Sequence, residues 1–145
     1  MAQHVAHFDT GAIHRAGIPT PGRQAYQLLR VGFGVLPVVA GLDKFTGLLA
    51  RWEDYLSPRM IDRWSVAPHD VMRAVGVVEI GVGLLVLTKP KVGAWVLAAW
   101  LAAIIVNLLS LGSHYDVALR DVGLMLGAIA LARLSVTYYA RGTLG

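Results

Sequence analysis

The chain has no cysteine among its 145 residues. That excludes a disulfide framework, a thiolate nucleophile, a cysteine-ligated metal and an iron–sulfur cluster within it. Charged residues are also scarce, at 15% of the total. Missing too are a phosphate-binding glycine loop, a nucleophile elbow and a metalloprotease helix motif. The net charge of +4 does not point to nucleic acid, because the basic residues are scattered and no helix pairs a basic face with interleaved aromatics. In an apolar chain they read instead as topology signals and lipid-headgroup contacts.

What is present in excess is hydrophobicity, 56% of residues, gathered in long blocks. Four apolar segments run over about 25–49, 71–88, 92–111 and 117–134. Each is close to the ~20 residues that a helix needs to cross the bilayer core. Their continuous apolarity, without alternation of period two, excludes barrel strands. The fold class expected is all-α, an integral membrane four-helix bundle with antiparallel up-down spans over 23–138.

The segments are joined by turns of recognisable chemistry. "TKPK" (88–91) and "GSHYD" (112–116) are tight connections, with Pro90 and Gly112 suited to a helix start and a helix end. Pro37 is expected to kink the first helix. The longer connection 51–70 mixes Trp52, Tyr55, Leu56, Ile61 and Trp64 with charges. It predicts a short interfacial helix from Pro58 to Trp64, aromatics at headgroup level. Residues 1–22 read as a soluble arm without the pattern of a secretory signal, and 139–145 as a tail. His4, His7 and His14 in the arm read as exposed histidines rather than a metal site.

Four spans place both termini on one side. Seven basic residues fall on that side and six on the other, which decides little. The near absence of acids and the doubly basic 88–91 turn favour a cytoplasmic location for the termini. The setting expected is the bacterial inner membrane.

On this topology every helix sends polar groups to one half of the bilayer. The first brings Asp43 and Lys44, from "VAGLDKFTG", and the second Arg73 and Glu79. The third adds Asn107 before the turn holding His114, and the fourth starts with Arg120 and Asp121. Lipid offers such groups nothing, so they must satisfy one another. Glu79, inside "VGVVEIGVG", reads either as an ion-paired tie between helices or as a carboxylate that handles protons or binds a ligand. Asn107 reads first as an interhelical hydrogen-bond donor, and Asp43 first as the polar end of its helix. Haem is disfavoured, since His69 and His114 lie only at interface level.

Three stretches carry a family resemblance: "LLRVGFGVLPVVAGLDKF" (28–45), "VGVVEIGVGLLVL" (75–87) and "HYDVALRDVGLMLGAIALARL" (114–134). In these the chain resembles the DoxX-like family of small four-helix bacterial membrane proteins. The resemblance implies association with a membrane redox system, with Lys44, Glu79 and Asp121 at the family's recurrent polar positions. No redox centre is intrinsic to the chain, so electron transfer needs a partner or a bound cofactor, and the resemblance together with the shared polar depth makes a bound quinone the expected one. Glu79 and Asp121 would be its proton-exchanging, catalytic carboxylates. Lys44, Asp43, Arg73, Asn107, His114 and Arg120 would be ligand-binding. The expected partners are the lipid bilayer and a larger membrane complex or a second copy, with no nucleic acid. The alternatives are a non-catalytic accessory subunit and, less favoured, a small-molecule transporter.

Overall fold

Three of the four long helices begin on proline, where a missing amide costs nothing because the first helical N–H groups have no partner within the helix. Helix α1 spans Pro21–Thr46, α2 Pro68–Thr88, α3 Pro90–Leu111 and α4 Tyr115–Gly142. A 3-10 turn, Trp52–Tyr55, follows α1. This computed structural model describes residues 20–56, 58 and 67–142, the side chains of 139–142 excepted. Among the described residues there is no strand. Helices α1, α2 and α3 are long and apolar enough to cross a membrane.

The helix ends follow local chemistry. Gly47 (φ 62°) stops α1 and donates its N–H to Asp43 O at 2.6 Å. Gly112 (φ 72°) closes α3. A left-handed backbone suits glycine at both places. Lys89 alone separates α2 from α3: its N–H bonds back to Leu85 O while its carbonyl accepts from Val92 and Gly93. Pro21 and Gly22 belong to α1 rather than to the arm, and α1 ends before the expected residue 49. Helix α4 continues well past Leu134. The chain stays helical through Pro37, whose missing amide leaves Phe33 O without a donor from that position. The arm with its three histidines, and the interfacial helix expected over 58–64, lie outside the described residues apart from Pro58.

The four described helices form two close-packed pairs. Helices α1 and α2 run antiparallel and touch backbone to backbone. A Cβ on Gly41 would stand 2.5 Å from Gly76 O, and one on Gly83 would stand 2.5 Å from Gly34 O. Glycine at both crossings is what permits the approach. Helices α3 and α4 pack instead through a small-residue core that includes Ala94, Leu97, Ala98, Ala128, Leu131 and Ala132. The pairs meet mostly toward the α2–α3 turn. There the Tyr26 and Tyr138 rings stack at 5.9 Å and the Phe33 ring fills the space beside Gly127. Arg30 reaches across from α1 and donates through Nε and Nη2 to Leu87 O, one of the orphan carbonyls ending α2.

Candidate functional site

Lys44 and Glu79 each sit one turn beyond the Gly41–Gly76 crossing in their own chain direction. A helical side chain leans toward its helix's N-terminus. On antiparallel helices these leans converge, carrying Lys44 inward and Glu79 outward. Their charged ends meet at 2.6 Å (Nζ to Oε2), with the side chains only 3% and 10% exposed. Two charges removed from water this fully are tenable only because each neutralises the other.

A roof covers the pair. The Trp52 ring lies over Lys44 Nζ, 3.6 Å from the ammonium, so the cation meets the negative face of an indole as well as a carboxylate. Asp43 fixes that roof. Its carboxylate accepts hydrogen bonds from the Leu48 and Leu49 amides, Thr46 Oγ1 and, at 2.7 Å, Trp52 Nε1. The chain after Gly47 is thereby folded back over the helix ends. From α3, Asn107 Nδ2 donates to Tyr55 O at 2.7 Å. The Tyr55 ring packs on that of His114, 4.9 Å away. At the rim, Glu53 and His69 stand 3.3 Å apart. A backbone hydrogen bond at Glu53 itself and the His69 ring hold the Glu53 carboxyl below the usual carboxylate range.

Under the roof lies a cavity of about 740 Å³, bounded by all four helices and the 3-10 turn. Its walls are mostly apolar. Lys44, Glu79, Asn107, Arg120 and Asp121 supply charge and hydrogen bonding, and Trp100 an indole N–H. Asp121 is buried, and its carboxylate lies 3.2 Å from both Arg120 Nε and Nη2. It is close enough to Glu79 for the two carboxylates to act on each other. The Trp100 N–H is buried and faces the Glu79 carboxylate without a hydrogen bond of ordinary geometry.

Of the residues singled out in the sequence, five converge on the cavity: Lys44, Glu79, Asn107, Arg120 and Asp121. Three do not line it. Asp43 is turned into the roof by its own hydrogen bonds, Arg73 sits on the exposed face of α2, and His114 lies in the α3–α4 turn against Tyr55. Sequence reasoning placed Trp52 and Tyr55 at headgroup level without a role and passed over Trp100. The available signal was its seven-residue spacing from Asn107, which puts both on one face of α3. Among the described residues no group of three or more histidine, aspartate or glutamate side chains could hold a metal ion.

Comparison with known families, characterised proteins and solved structures finds no match for the chain.

Proposed function

We propose that the protein is a four-span bacterial inner-membrane protein that binds a quinone-like headgroup in this cavity, as a quinone-interacting subunit of a membrane redox complex. In this reading α4, at 28 residues and packed along α3, is the fourth span of an up-down bundle, with both termini cytoplasmic. The observation that carries the reading is an apolar cavity of about 740 Å³ ending at a buried ion pair. Ligand pockets of this size are typically apolar with a few converging polar groups.

The residues fit such a group. A quinone carbonyl needs a buried donor, and Lys44 Nζ and the Trp100 N–H are donors at the cavity wall. When bound, a quinone supplies two-electron, two-proton exchange. Glu79 would hold or release a proton at its carboxylate, with Lys44 at Oε2 balancing its charge. Asp121 is the second carboxylate within reach of the same space, and Arg120 keeps it paired. Equilibrium binding of decylubiquinone to the purified protein tests this: Glu79→Gln and Lys44→Ala should each weaken it. Unchanged binding and unchanged electron flux in the native complex would sink the proposal.

A second reading, a non-catalytic accessory subunit, draws on a different observation. Asp43 and Asn107 are committed to holding the roof, and Lys44 to Glu79, so the polar cluster ties α1, α2 and α3 together. That reading expects copurification with a larger complex whose turnover survives neutralising the pair.

A further inference from the structure

The cavity is not walled evenly. Hydrogen bonds fasten the roof to α1 through Asp43 and to α3 through Asn107, and Glu53 leans on His69 of α2. Between α1 and α4 the close contacts described above, Tyr26 on Tyr138 and Phe33 at Gly127, fall in the half nearer the α2–α3 turn. Toward the roof the cavity lies between the same two faces. The residues that continue them, Leu36, Pro37 and Ala40 on α1 and Arg120, Asp121 and Leu124 on α4, all line the cavity. Leu36 is 61% exposed, and the Arg120 side chain is 66% exposed beside a buried Asp121. On a hydrophobic helix that exposure faces hydrocarbon, so the gap is a side window onto lipid with a guanidinium at its edge.

We infer that the cavity takes its occupant from the bilayer through this window. The occupant is a single-chain amphiphile, its head at Lys44 and Glu79 and its chain leaving between α1 and α4. A roof fastened by Asp43 and Asn107 lies across the end nearest the aqueous side, while an apolar lining continuous with exposed Leu36 suits a hydrocarbon chain. Isoprenoid quinones and single-chain lipids share this chemistry. The inference rests on reading the cavity as a ligand site.

The absence of native cysteine makes the test direct. Ala40→Cys places a unique thiol in the window, and Val106→Cys places one on the exposed face of α3, outside the cavity lining. Each full-length protein is titrated in detergent by native mass spectrometry, before and after N-ethylmaleimide. The probes are decylubiquinone, the same ring without its chain, and a lysophospholipid of matching chain length. Modification at Ala40→Cys should weaken decylubiquinone binding about tenfold, leave the chainless ring within about twofold, and have no counterpart at Val106→Cys. Leu124→Trp should reproduce the loss from the α4 side without chemical modification.

Equal loss of both quinone probes, no loss, or a loss at Val106→Cys as large as at Ala40→Cys would overturn the window. Should only the lysophospholipid bind, and bind in a modification-sensitive way, the window stands and the quinone reading falls. If no probe binds the unmodified chain, both fall.

Discussion

The two ends of the molecule are built from the same helices and solve opposite problems. Toward the α2–α3 turn, Val86, Ala94, Ala128, Leu131 and Ala132 are fully buried. The polar atoms there are absorbed locally: Ser135 Oγ donates to Leu131 O one turn back, and Arg30 caps α2. Toward the roof, Lys44, Glu79 and Asp121 are buried instead. Charges cannot pack like alanines; they need partners at fixed distance. Here the partners sit at the edge of a cavity. Density at one end gives the scaffold rigidity, and open space at the other leaves room for a ligand.

Breaking the ion pair should produce the largest effect. Lys44→Met strands a buried carboxylate and should cost about 3–5 kcal/mol, read as a fall in thermal stability in detergent. The double change Lys44→Met with Glu79→Leu should recover most of it, because matched hydrophobes replace such pairs at little or no cost. A double variant as unstable as the single would mean that the pair itself holds the fold.

The dense contacts are tested next. Gly83→Leu drives a side chain into the α1 backbone and should cost about 1–3 kcal/mol. Gly123→Ala, where an added Cβ meets nothing within 4 Å, should be neutral or stabilising by up to about 1 kcal/mol. Equal effects would erase the distinction between close-packed and open glycines. Asn107→Leu removes one roof bond and should cost about 1 kcal/mol.

His69→Ala should leave stability almost unchanged at neutral pH, since its pairing with Glu53 is exposed and screened. The sign can still be checked. Glu53 is held below its ordinary value, so its contribution is present above that value and fades as pH falls through the lower, folded one. Parent and variant should therefore melt alike once the pH lies below that lower value. A difference that persists there would contradict the assignment.

Much of this was legible in the sequence because hydrocarbon imposes simple rules. Continuous apolar blocks punctuated by "TKPK" and "GSHYD" located the long helices, and the shared depth of Lys44, Glu79, Asn107 and Asp121 brought those residues to one space. The misses are contacts of the irregular chain. Asp43 was a helix end by position, and only the fold-back after Gly47 makes its carboxylate an acceptor for Leu48, Leu49 and Trp52. Helix periodicity carries no information about such a loop. Trp100 was hidden differently: in an apolar run an indole looks like one more hydrophobe until a carboxylate stands opposite.

The paired glycines of α1 and α2 have a mechanical consequence. Gly34 and Gly41 are seven residues apart, as are Gly76 and Gly83, and they meet crosswise. Sliding α1 along α2 by one helical turn, about 5.4 Å, would set backbone against side chains at both crossings and pull Lys44 from Glu79. The pair therefore behaves as a toothed strut with a single meshing position. The seam between α1 and α4 is held instead by the Tyr26, Tyr138 and Phe33 rings, side chains that can shift where a backbone cannot.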